Sequence, residues 1–184
     1  QPVCTILPPD FPGHEDFCDY TLNPGPEWTA PDMDKARALV EESGTKGQKV
    51  TVVTDDSASS RGVGTYLQTV LSDLGYDAAV QTISGDIQFT YIQNTNNNVQ
   101  ISVTQWYQDY PAPSNFLNVL FGCDTFHPGS DSSINMSGIC DKDLDARMKA
   151  AMALGVTDPE AANKEWAQID HAFMALAPAV PLFT

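Results

Sequence analysis

In residues 104–116, TQWYQDYPAPSNF, three aromatic side chains and one acid fall within positions 106–110, between a strand-like and a helix-like segment. The side chains that could contact a ligand are those of Trp106, Tyr107, Asp109 and Tyr110. A purely structural interpretation is also open. Trp106 and Tyr110 would then cover the end of a sheet, and Asp109 would begin a turn ahead of two prolines.

Signatures of common catalytic sites are absent from the sequence. There is no G-x-S-x-G, H-E-x-x-H, Walker A or G-x-G-x-x-G motif, and the three histidines are scattered. Acid pairs such as Asp55 with Asp56 fall at turns and helix starts, where capping explains them. A flavodoxin-like enzyme would need a cofactor-binding loop after the first strand, and TDDSASSRG has no suitable glycine pattern there. A receiver-type phosphorylation domain would need a Lys near the later strands of the sheet, and the sequence has no suitable one. We therefore predict no enzymatic activity, no cofactor and no metal site.

Length and charge limit the possible partners. The 184 residues, 42% of them hydrophobic, suffice for one sizeable core, so a single domain is expected. The net charge of -15 repels phosphate backbones, which argues against a nucleic-acid partner. The first ten residues lack the pattern of a signal peptide, and the chain lacks an initiator Met. We therefore expect this chain to be a piece of a larger protein.

The four cysteines favour disulfides over metal binding, because they include no C-x-x-C and no His at zinc-finger spacing. If neighbours in sequence pair, Cys4 joins Cys18 and Cys123 joins Cys140. Both intervening loops are rich in Pro, Gly, Asp and Ser, and a covalent crosslink stabilises such loops most. Four buried thiols in a cytosolic protein are the alternative.

Hydrophobic periodicity predicts an α/β fold. Residues 1–31 form an irregular lead-in segment, and residues 32–184 form an α/β lobe. From Asp32 onward, helix and strand alternate until three strands have formed, and connections of these lengths imply a parallel sheet. Two further helices follow. The residues predicted to lie on inward helix faces include Leu39, Tyr66, Trp166, Met152 and Leu176.

Six segments in this order resemble the extracytoplasmic solute-binding proteins of family 5, the peptide-type receptors of ABC importers. They are PDMDKARALVEESG with the strand after it, YLQTVLSDLGYDAAVQTI, WYQDYPAPSNFLNVLF, NMSGICDKDLDARMKAA and IDHAFMALAPAVPLF. The resemblance covers nearly all of residues 2–184. It implies the later lobe of a type II, venus-flytrap receptor. The first lobe, the signal peptide and the lipid-anchoring cysteine of that family have no counterpart in the chain.

The resemblance also implies a site and partners. In family members that bind peptides, the acid of a W-x-x-D motif faces the α-ammonium of the ligand and the Trp lines the cleft. Trp106 and Asp109 occupy those positions, with Tyr107 and Tyr110 beside them. The expected partners are a peptide or other small ligand, the missing first lobe and a membrane permease. The expected location is extracytoplasmic, in the periplasm or lipid-anchored at the cell surface.

Two alternatives remain open from the sequence. Family members that bind oligosaccharides, nickel chelates or other solutes vary around this acid, so the ligand is less constrained than the family. A non-catalytic interaction module of α/β fold is the second alternative, and lack of ligand-dependent stabilisation in the complete protein would favour it.

Overall fold

The computed structural model describes residues 2–184, which form two compact units. The first, called the helical unit, contains the chain up to Pro31 together with Trp106–His127 and Ser133–Thr184. The second, called the sheet unit, contains Asp32–Gln105 and Pro128–Ser132. The predicted division into residues 1–31 and 32–184 stays a prediction about domain organisation.

The sheet unit alternates helices and strands in the predicted order. Its elements are α1 (Met33–Ser43), β1 (Lys49–Asp55), α2 (Ala58–Asp73), β2 (Asp77–Ile83), α3 (Gly85–Gln93) and β3 (Ile101–Ser102). Each of these helices is capped at its N-terminus by a short polar side chain, which accepts a hydrogen bond from a backbone N–H of the first turn. Asp32 caps α1, Ser57 caps α2 and Ser84 caps α3.

The three strands form one parallel sheet in the order β2-β1-β3. In the central strand β1, Val52, Val53 and Thr54 are all buried. Such a continuous buried run is typical of a parallel strand that is covered on both faces. The register places Val52 opposite both Val80 and Ile101.

The third strand is shorter than its sequence predicts. Alternating apolar residues over 99–106 indicate a full strand, but β3 is paired only at Ile101 and Ser102. One further bond, from the N–H of Val103 to the carbonyl of Val53, extends the contact. The hydrophobic pattern therefore identifies the strand but does not fix where pairing ends.

The helical unit contains three α-helices and short 3₁₀ turns. The helices are α4 (Leu117–Phe121), α5 (Lys142–Leu154) and α6 (Pro159–Leu176), and one 3₁₀ turn spans Pro113–Asn115. Asp141 caps α5, and Asp158 caps α6 ahead of a proline at its first position, as predicted. No α-helix or β-strand forms within residues 2–31.

A hydrophobic core in the helical unit joins α4, α5 and α6 to the lead-in segment. Phe173, Ile169, Met148 and Leu117 are fully buried there, and Trp166 is 4% exposed, so its prediction as a core residue is confirmed. Leu7 of the lead-in segment is also fully buried in this cluster. The irregular segment thus contributes to the core although it has no regular secondary structure.

Both predicted disulfides are present. Cys4 is bonded to Cys18, and Cys123 to Cys140. Inside the second loop the fully buried amide of Asn135 donates to the carbonyls of Gly122 and Ile139, at 3.0 and 2.8 Å. Its Oδ1 accepts from the hydroxyl of Ser137 and the N–H of Gly138. A covalent bond and a buried amide together hold this loop.

Four residues that the helical pattern places inward are exposed. Leu39 is 53%, Tyr66 61%, Met152 39% and Leu176 50% exposed. Leu39 lies beside the buried Val40 in α1, and Met152 follows the buried Ala151 in α5, so these two lie at the margin of a buried face. A 3.6-residue period fixes the direction of a face, whereas neighbouring elements decide how wide a stripe they cover.

Candidate functional site

The loop that carries the predicted site residues is held by the side chain of Asn115, which is fully buried. Its Oδ1 accepts hydrogen bonds from the backbone N–H of Asp109 at 3.0 Å and from Trp106 Nε1 at 3.3 Å. Its Nδ2 donates to Asp109 Oδ2 at 3.2 Å. The structure therefore brings Trp106 and Asp109 together around one amide.

Trp106 is partly buried and packs against the core of the helical unit. Because its indole N–H is directed at Asn115, the ring is fixed at its polar edge as well as by packing. The indole is thus partly structural and partly accessible, and the core that it packs against is that of the helical unit. This combination suits a rigid apolar wall beside a binding site.

Asp109 is exposed, although its main chain is anchored. The hydrogen bonds described within residues 2–184 engage its Oδ2 and leave Oδ1 without a protein donor. A carboxylate with a fixed orientation and one open oxygen can accept from an external cationic donor without first reorganising. Asp109 and Tyr110 form a bend ahead of Pro111, at the place where the purely structural interpretation expects a turn.

The two tyrosines of the motif differ in how they are held. Tyr107 is 78% exposed. Tyr110 is 43% exposed, and its hydroxyl accepts a hydrogen bond of 3.4 Å from Ser114 Oγ. Ser114 and Asn115 belong to the same 3₁₀ turn, so one short element supports both Tyr110 and Asp109.

Asn115 was not among the residues singled out from the sequence. It follows Pro113 and Ser114 in a stretch that is typical of an ordinary turn, and its burial could not be inferred from periodicity. The one available signal was its separation of six residues from Asp109, across a Pro-rich bend that brings the chain back on itself.

The carboxylate of Asp145 in the helical unit is buried and has structural partners. Asp145 accepts from the N–H of Cys123 at 3.1 Å and pairs with Lys149 at 2.8 Å. The bond from Lys149 lowers the pKa of Asp145 below its usual value, in spite of desolvation.

Among residues 2–184 no group of three or more His, Cys, Asp or Glu side chains is arranged to hold a metal ion.

A cavity of about 380 Å³ lies in the helical unit, and part of its lining directly follows the site loop in the sequence. It is lined by Pro111, Pro113, Ala151 and Trp166 among other mostly apolar residues. Neither Trp106 nor Asp109 belongs to its lining. The cavity therefore lacks the charged group around which the predicted site is built.

The chain matches the family model described as bacterial extracellular solute-binding proteins, family 5 middle, over residues 1–128. It belongs to this family, as its sequence predicts. The family consists of binding proteins that act as transport receptors rather than as enzymes. No helix within residues 2–184 is long and apolar enough to cross a membrane.

Two particular proteins illustrate the likeness. The chain is 27% identical over 155 residues to di/tripeptide-binding protein 4 of Pseudomonas aeruginosa, covering 82% of this chain and 28% of that protein. It superposes with a TM-score of 0.81 and 20% identity on the periplasmic binding protein DppA of Helicobacter pylori, solved with the peptide STSA.

A third relative has a higher TM-score. Clavulanic acid biosynthesis oligopeptide binding protein 2 superposes with a TM-score of 0.86 and 22% identity. The two superpositions each cover 99% of this chain and 33% of the solved one. The chain thus spans about a third of the length of these two solved proteins, and it has the fold of one part of a type II periplasmic binding protein.

Proposed function

We propose that this chain is the ligand-binding lobe of a receptor that delivers peptides or peptide-like solutes to an ABC importer. The observation that supports this most is the carboxylate of Asp109, which is exposed yet held by the buried Asn115 beside the indole of Trp106. The relatives support the same ligand class, because one is named as a di/tripeptide-binding protein, one as an oligopeptide-binding protein, and one was solved with a bound peptide.

The proposed chemistry is recognition of a free amino terminus. When a receptor encloses its ligand, the α-ammonium loses water, and an unpaired charge in such a cleft costs several kcal/mol. Asp109 supplies the opposite charge. Trp106 supplies an apolar wall and a cation-π contact, while Tyr107 and Tyr110 offer further aromatic surface to the peptide.

The complete receptor needs partners that lie outside this chain. The ligand is enclosed between this lobe and an N-terminal lobe of the same protein, and the closed receptor then docks on a membrane permease. This places the receptor outside the cytoplasm, in the periplasm or at the outer cell surface, where a lipid anchor on the full-length protein keeps it near the permease.

The experiment that tests the proposal uses the full-length protein purified without refolding. Mass spectrometry of co-purifying small molecules should reveal peptides. An equimolar library of di- and tripeptides should yield bound members, whereas the same library after N-acetylation should yield few. Co-purification of a sugar or a metal chelate, with no binding from the peptide library, would overturn the proposal.

A further inference from the structure

Three hydrogen bonds converge on the amide of Asn115, and together they fix its orientation. Two donors, the indole N–H of Trp106 and the backbone N–H of Asp109, require Oδ1 on their side. Nδ2 must then face the carboxylate of Asp109, which is an acceptor. A flipped amide would place N–H against N–H and oxygen against oxygen, so the observed arrangement is the one that all three partners allow.

Asn115 is itself fixed by the core. It ends the 3₁₀ turn Pro113–Asn115, in which its own N–H donates to the carbonyl of Ala112 at 2.9 Å. Phe116 and Leu117 follow directly and are both buried in the hydrophobic cluster of the helical unit. The amide is therefore a rigid connection between that core and the exposed carboxylate.

We propose that Asn115 is a positioning residue that determines how strictly the receptor selects peptides with a free amino terminus. Its Nδ2 holds Asp109 Oδ2, which turns Oδ1 outward toward the ammonium of the ligand. Without this bond the carboxylate samples several rotamers, and ordering it on binding costs part of the charge interaction. This inference rests on the proposed function, because it assumes that Asp109 contacts the ammonium.

The test compares affinities in the full-length protein for one peptide, the library member that wild type binds most tightly, and for its N-acetylated form. The ratio of the two affinities measures selection of the free amino terminus. Asn115→Ala should lower this ratio about tenfold by weakening the free peptide more than the acetylated one. Asn115→Ser, which keeps a polar group at the buried position, should lower it as well and serves if the alanine variant does not fold.

A matched control is available in Asn135, which is likewise fully buried in the helical unit and holds a loop through its amide. Asn135→Ala should lower stability but leave the affinity ratio at the wild-type value. This control separates positioning of Asp109 from a general loss of packing, which would weaken binding of both peptides together.

A double-mutant cycle with Asp109→Asn decides whether Asn115 acts through Asp109. Asn115→Ala should lower the ratio in the wild-type background and leave it unchanged in the Asp109→Asn background. An equal reduction in both backgrounds would overturn the inference, as would wild-type ratios in both Asn115 variants while Asp109→Asn lowers the ratio. If Asp109→Asn itself leaves the ratio unchanged, the proposed function fails, and this inference fails with it.

Discussion

The carboxylate of Asp170 on α6 accepts the backbone N–H of Leu7 at 3.0 Å through Oδ2. Its Oδ1 accepts the N–H of Ile6 at the same distance. One side chain thereby satisfies two consecutive main-chain donors of a segment that has no regular secondary structure. Asp170 is 1% exposed, so the irregular lead-in segment is attached to the core at a site that solvent does not reach.

This burial makes the stability of the chain depend on pH. Desolvation raises the pKa of Asp170 to about 6 from 3.8, although the two backbone bonds and the neighbouring His14 and His171 act in the opposite direction. Because the folded pKa is the higher one, the contribution of Asp170 to stability is complete below about pH 4 and is lost as the pH rises through about 6.

We therefore predict that wild type gains stability relative to Asp170→Asn when the pH falls from 7 to 4.5. The relative gain should be on the order of 2 kcal/mol. Both proteins retain every other titratable group, so the difference reports Asp170 together with its coupling to His14 and His171. Urea unfolding of residues 1–184 at the two pH values measures it. A constant difference between the two proteins would contradict the assignment of a raised pKa.

The two glycines of α2 should respond to alanine in opposite ways. Gly62 has open space where a Cβ would lie, so Gly62→Ala should stabilise by about 0.5–1 kcal/mol through helix propensity. A Cβ at Gly64 would overlap Cγ2 of Thr54, which is fully buried in β1. Gly64→Ala should therefore destabilise by about 1–3 kcal/mol.

Urea unfolding of the two glycine variants beside wild type measures both effects. The comparison is matched, because the same change is made twice in one helix. Equal effects of the two substitutions would show that α2 does not pack on β1 as closely as described.

Each disulfide should contribute substantially to stability. Cys4 and Cys18 are separated by 14 positions and Cys123 and Cys140 by 17. The chain-entropy model gives about 3 kcal/mol for loops of this size. Replacing either pair by alanines should lower the free energy of unfolding by that order, and peptide mapping without reduction should recover both pairs. Free thiols, or a bond between Cys18 and Cys123, would contradict the assignment.

The sequence predicted most of the sheet unit because its signals are local. Asp32 and Gly44 mark the ends of α1, and the β-branched run of β1 is bounded by polar residues, so the boundaries of both elements follow from capping and composition. The length of β3 was not predictable in the same way, because the number of paired residues depends on the backbone groups of the neighbouring strand β1 that are within hydrogen-bonding distance.

The buried side chain that holds the candidate site, Asn115, could not be identified from the sequence. The W-x-x-D spacing identified Trp106 and Asp109, but the role of Asn115 depends on a 3₁₀ turn that buries its side chain, directly before the buried Phe116 and Leu117. The burial of Asp170 was missed for the same reason. In the sequence Asp170 and His171 are simply two adjacent polar residues, whereas in the structure His171 stacks on Phe17 and Asp170 is buried.

Calorimetric titration of the full-length receptor tests the central claim, that Asp109 pairs with the ammonium of a peptide, most directly. Wild type should bind a free peptide far more tightly than its N-acetylated form. Asp109→Asn should weaken binding of the free peptide by about 2–5 kcal/mol, as expected for loss of one member of a desolvated charge pair, and should discriminate far less between the two forms.

Asp73→Asn provides the control for loss of one exposed negative charge, because Asp73 lies at the end of α2 in the sheet unit. It should leave both affinities unchanged. Equal affinity of wild type and Asp109→Asn for the free peptide would contradict the account, because Asp109 would then be only a residue of the turn before Pro111.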